Sequence, residues 1–258
     1  MPNDSNVKAV ILCNRRSGST FLQFCLDSHP DITSLGEFFG YRYDKSLVLR
    51  NLPWFRGSKI KSPVRFIEEV IFPLGGNVIF KLMYDQCFQC NLLEYITEHE
   101  IPVIHLIRKN HVKAVLSALV AAQVRPHKIM VNPKEFVGDV KNREGLMANH
   151  IDCLKELPRY LEIYYEDMFG ETKGKKTKTW LEGRNPVRRK RYPIHRYADV
   201  KVFLNPDLNN SLCDFFETHQ FRMYTNMIKK AKDDIWFYLD RSKVEKLLIA
   251  EGFASCLS

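Results

Sequence analysis

Residues 7–28 read as a buried strand, a short turn and a helix in immediate succession, and that order leaves few folds open. Val7 to Cys13 (VKAVILC) is an apolar run rich in β-branched residues, the pattern of a strand covered on both faces. Asn14 to Gly18 makes the turn. Ser19 to Ser28 makes the helix, and His29-Pro30-Asp31 ends it because proline cannot continue it. Three more apolar runs follow: Asn77 to Tyr84 (NVIFKLMY), Pro102 to Ile107 (PVIHLI) and Tyr160 to Tyr165 (YLEIYY). Between them, helices are predicted over Asn91 to His99, at Val112, Val115, Leu116 and Leu119, and at Met147, Ile151 and Leu154 before Pro158. Strands alternating with helices imply a parallel sheet with helices on its faces, so the expected fold class is α/β. Arg42 to Pro73, with three prolines and no clear period, reads as an irregular or helical insertion. Asp207 to Ala254 reads as mainly helical and amphipathic. With no repeat and no low-complexity linker, one domain is expected over 1–258, with a basic, mobile loop at 171–200 and a helical C-terminal portion at 201–258.

Charge is unevenly placed. The net charge is +9, yet ten Lys or Arg and one acid, Glu182, fall between Lys173 and Arg196, leaving 29 basic and 29 acidic residues elsewhere. This one stretch would attract phosphates, nucleic acid or an anionic surface, or simply form a solvated loop. A chain 45% hydrophobic and 27% charged is neither disordered nor collagen-like. The longest run of small and apolar residues, Ala114 to Ala122, is far short of the roughly 20 residues of a membrane span. Seven cysteines without regular spacing, and a start lacking a secretory pattern, lead to the expectation of a reducing, cytoplasmic setting. Cys87 and Cys90 form a lone CxxC with no second pair at metal-ligand spacing, so structural cysteines are expected.

The turn Asn14-Arg15-Arg16-Ser17-Gly18-Ser19-Thr20 sits between a strand and a helix N-terminus. Backbone N–H groups and the helix dipole converge there, and Arg16, Ser17, Ser19 and Thr20 add donors, which makes a cradle for phosphate or sulfate. A capped helix start is the plainer reading. The GxxxxGK[ST] pattern is absent, which weighs against ATP or GTP hydrolysis. Arg16-Ser17-Gly18-Ser19-Thr20-Phe21-Leu22, followed by His29-Pro30-Asp31, resembles the phosphosulfate loop of sulfotransferases that use 3′-phosphoadenosine 5′-phosphosulfate (PAPS). Arg15 stands where that family usually has proline. Val103 to Asn110 (VIHLIRKN) with Ser117 resembles the family's 3′-phosphate site, in the spacing of the bacterial trehalose and Nod-factor enzymes. Physically, Arg108 offers a bidentate fork and Ser117 a hydroxyl.

Glu37, in Leu35-Gly36-Glu37-Phe38-Phe39, follows the first helix near the edge where α/β ligands bind. The resemblance implies a catalytic base there; a solvated loop carboxylate is the alternative. Lys81 lies inside an apolar strand and must find an anion or snorkel from a sheet edge. The resemblance implies that it meets the transferred group, with Met83 where cytosolic relatives carry a histidine base. Tyr164-Tyr165-Glu166-Asp167-Met168 resembles the family's Y-E-D-L strand end and is read as a structural marker. Arg188, Arg189 and Lys190 are candidates for a further 3′-phosphate contact. The resemblance covers about Val7 to Phe169 and implies a P-loop-like sheet, PAPS as co-substrate and no metal. The implied acceptor is a hydroxyl on a carbohydrate, lipid or small natural product. Two rivals stand beside it. One is a P-loop-type nucleotide phosphotransferase. The other is a non-enzymatic nucleic-acid or anionic-surface binder using the basic stretch, whose Trp180 and Tyr192 are interleaved as in single-strand binders.

Overall fold

Five strands pair side by side, all parallel: β1 (Lys8–Cys13), β2 (Ile32–Glu37), β3 (Asn77–Met83), β4 (Val103–Ile107) and β5 (Tyr160–Tyr164), in the spatial order β2-β3-β1-β4-β5. This is a computed structural model, and it describes residues 7–27, 31–37, 39, 62–89, 91–122, 132–169, 190–192, 221–223 and 240–257. β1 is central, and each residue from Ala9 to Cys13 is fully buried, which is why its sequence is apolar without alternation. The chain turns to one side of β1 for β2 and β3 and to the other for β4 and β5. The reversal falls between β1 and β4, and ligands of open α/β sheets bind outside the carboxyl ends of the strands at such a point.

Helices cover both faces. α1 (Ser19–Asp27) lays Phe21, Leu22 and Leu26 on Ile11, Cys13, Ile79 and Ile104. The opposite face, reached by the alternate strand residues Val10, Leu12, Phe80 and Leu82, packs on a second set of helices. These are α2 (Pro63–Phe66, continuing as one π-turn through Ile71), α3 (Tyr84–Gln89) and α4 (Leu92–Glu98), joined by Leu154 at the end of a longer helix. A third cluster joins α5 (His111–Ala122), α6 (Pro133–Lys155) and α7 (Arg241–Ala250) through Val112, Leu116, Phe136, Val140, Val244 and Leu248. Full burial of such side chains is worth about 1.5–3 kcal/mol each, which docks α7. β6 (Lys190–Tyr192) and β7 (Phe221–Met223) form a separate antiparallel pair.

The structure differs from the sequence reading at three places. Ile32 to Glu37, for which the sequence reading gave no element, is a strand; only Ile32 and Leu35 are buried, so this sheet-edge segment carries too little apolar pattern to announce itself. α6 begins at Pro133, capped by the Asn132 side chain accepting from Lys134 N at 3.0 Å, well before the expected Met147. β7 lies within a segment read as helical. Among the described residues no helix is long and apolar enough to cross a membrane.

Candidate functional site

The turn after β1 is held in a shape that few residues tolerate. Arg16 has φ +62° and Gly18 φ +90°. A Cβ at Gly18 would collide with the Tyr165 ring, so glycine is required by space as well as by φ. The Arg15 N–H donates to Asn14 Oδ1 at 2.8 Å, a bond that proline could not make. The α1 start is closed by Phe21 N and Leu22 N donating to Gly18 C=O at 2.9 and 3.1 Å. Ser17 is fully buried, with its hydroxyl against the Cys13 thiol.

Three guanidiniums gather at this turn. Arg16 donates through Nε and Nη2 to Ser117 Oγ at 3.1 and 3.0 Å. Arg108, leaving the end of β4, donates to Arg16 C=O at 3.0 Å and lies 4.6 Å from the Tyr165 ring centre. Arg143, from α6, donates to Arg15 C=O at 2.6 Å. Burial, and then the Arg108 charge, lower the pKa of Arg16 and bring that of Arg143 down to about 10. The Nε atoms of Arg108 and Arg143 are buried without partners. Beside them His111 is buried with an unpartnered Nδ1, and burial, reinforced by the Arg143 charge, brings its pKa down to about 4. Glu166 is occupied elsewhere, accepting from Lys109 N and Asn110 N at 3.1 and 3.0 Å ahead of α5.

A second group forms at the ends of β2 and β3. Gly36, with φ +87°, lets β2 slip register between Ser34 and Glu37, which sets Glu37 opposite Lys81. Lys81 is 6% exposed on an interior strand, so it is no edge lysine reaching for water. Its Nζ lies 3.4 Å from Glu37 Oε2 and 3.5 Å from Thr20 Oγ1. Gln86 fixes the carboxylate's other oxygen, its Nε2 donating to Oε1 at 2.9 Å while its own Oε1 accepts from Met83 N at 2.9 Å. Met83 itself turns into the core, its sulfur 3.8 Å from Cys13 Sγ.

The sequence-derived residues Arg16, Thr20, Glu37, Lys81, Arg108 and Ser117 thus sit along one edge of one sheet, with Ser17 and Gly18 in the turn and Ser19 opening α1. Arg188 and Arg189 lie outside the described residues, as does His29. Lys190 opens β6. His105 is fully buried, bonded to the Tyr84 hydroxyl at Nε2 and to the Tyr160 hydroxyl at Nδ1 (2.6 Å). Burial brings its pKa down to about 4. Sequence reading missed Arg143, Gln86 and His111, and it took Tyr165 for a marker although its ring floors the turn. No family model matches the chain, and no curated protein matches it.

Proposed function

We propose that this chain is a PAPS-dependent sulfotransferase with a P-loop-like sheet, moving a sulfuryl group to an acceptor hydroxyl on a carbohydrate, lipid or small natural product. The observation that carries this reading is the meeting of Lys81 with both Glu37 and Thr20, so that a cation, a carboxylate and the first turn of α1 share one point beside the anion cradle. In this reading the 5′-phosphosulfate occupies the turn from Arg16 to Thr20, and Arg108 and Ser117 take the 3′-phosphate. The acceptor oxygen attacks sulfur, and the bond from sulfur to the oxygen bridging to the 5′-phosphate breaks. Glu37 takes the hydroxyl proton, and Lys81 neutralises charge on the departing bridging oxygen. The products are a sulfate ester and adenosine 3′,5′-bisphosphate. Preorganised charge and alignment supply most of the rate, as in phosphoryl transfer. The reading places the enzyme in the cytoplasm, consistent with the free, buried thiols of Cys13 and Cys256.

The test is calorimetric affinity for adenosine 3′,5′-bisphosphate beside a random oligonucleotide, followed by transfer from labelled PAPS to a panel of hydroxyl acceptors. Tight bisphosphate binding and label transfer are expected. Tight oligonucleotide binding with no bisphosphate binding would replace the reading with that of a nucleic-acid binder.

A further inference from the structure

α6 presents Phe136, Val140, Arg143, Met147 and Leu154 at the spacing of one helix stripe. Phe136, Val140 and Leu154 are buried and Met147 is packed against the core, so Arg143 stands where the pattern calls for an apolar residue. A guanidinium on a core-facing stripe needs compensation. The bond to Arg15 C=O uses one of its five N–H groups, and its Nε is left buried and unpartnered. Among the described residues no carboxylate pairs with Arg16, Arg108 or Arg143. The Arg108 charge bears on both Arg16 and Arg143, and the buried Nε atoms of Arg108 and Arg143 have no partner, an arrangement suited to an anion.

We propose that Arg143 is a binding residue of this site: with Arg108 it forms a paired-guanidinium pocket, next to the turn, for a phosphate monoester dianion. In the sulfotransferase reading, on which the identity of the nucleotide rests, that dianion is the 3′-phosphate. A monoester carries close to two charges near neutral pH, whereas each half of a phosphosulfate carries one. Arg143 therefore selects nucleotides that carry a monoester at the 3′ position, and its fork contributes geometry that a lysine lacks.

The experiment titrates the full chain, as wild type, Arg143→Gln and Arg143→Lys, with adenosine 3′,5′-bisphosphate, adenosine 5′-monophosphate and inorganic phosphate. Wild type is expected to prefer the bisphosphate, and Arg143→Gln to shrink that preference by about ten-fold or more. A brace that merely holds the turn would weaken both nucleotides equally; equal weakening, or none, overturns the proposal. Arg143→Lys carries the test if Arg143→Gln does not fold: a loss of about three- to ten-fold in preference is expected, and no loss overturns it. Arg143-dependent binding of inorganic phosphate without nucleotide binding keeps the pocket and removes the sulfotransferase reading. Absence of binding by all three probes overturns the pocket.

Discussion

Lys81 is held in the interior of a parallel sheet by Glu37 and Thr20, which reach it from two neighbouring elements. In the sulfotransferase reading, Glu37→Gln removes the proton acceptor yet can still bond Gln86. Single-turnover sulfation at saturating PAPS is expected to fall about 10²–10⁴-fold, with bisphosphate affinity little changed. The same change leaves Lys81 without its counter-charge, so chemical denaturation should also show a loss of about 1–3 kcal/mol. His105→Asn serves as the control: its ring is enclosed by two tyrosine hydroxyls, so turnover should persist, and collapse of turnover there would reassign the base. Lys81 and Arg108 stood out in the sequence because each breaks or ends an apolar run, and Arg16 because it lies in a Ser/Gly turn between a strand and a helix. Gln86 and Arg143 were not, since a polar residue on a helix reveals nothing until the fold decides what it faces.

At the scale of elements, a hydrogen-bonded chain crosses from α3 through β4 to β5. It runs from Tyr84 to His105, Tyr160 and the Glu162 carboxylate, which also takes the Tyr164 hydroxyl. His105 is kept neutral inside it. Its folded pKa of about 4 lies below the ordinary 6.5, so the unfolded chain binds the proton more tightly. His105 therefore contributes up to about 3 kcal/mol that is complete above pH ~6.5 and lost as the pH falls toward 4. His111 acts in the same direction. Urea denaturation at pH 7.5 and pH 5 should show this slope, and His105→Asn should flatten it; an unchanged slope would assign the effect elsewhere. Gly18→Ala tests how β5 meets the turn. Both φ and the Tyr165 ring oppose a methyl group, so a loss of about 1–3 kcal/mol is expected, with only the steric part recovered in Gly18→Ala/Tyr165→Ala. β1, β3 and β4 were legible because burial on both faces leaves an almost unbroken apolar run, and β5, an edge strand with only Ile163 buried, because its residues are mostly aromatic or branched. β2 was hidden because an edge strand with two buried residues lacks that run.

For the whole molecule, nucleotide binding should appear as simple linkage. At a hundred-fold excess over Kd, adenosine 3′,5′-bisphosphate adds about 2.7 kcal/mol, a rise in Tm on the order of 5–10 °C for a chain of this size. ATP should give much less, and Mg²⁺ should not be needed; equal shifts from the two ligands would contradict the role of Arg108 and Ser117. The basic stretch concentrates the net charge, so replacing Arg188, Arg189 and Lys190 with alanine should weaken the bisphosphate and lessen its salt dependence. Unchanged nucleotide affinity with lost oligonucleotide affinity would assign the stretch to a macromolecular partner. The pairing of Glu37 with Lys81 also bears on timing. While the donor is absent, the carboxylate is paired with the ammonium. In the sulfotransferase reading, a sulfuryl group that draws Lys81 toward its bridging oxygen frees Glu37 for the acceptor. Steady-state kinetics should accordingly follow a compulsory sequence, donor first and acceptor second, with adenosine 3′,5′-bisphosphate competing against PAPS and the acceptor showing no productive complex of its own.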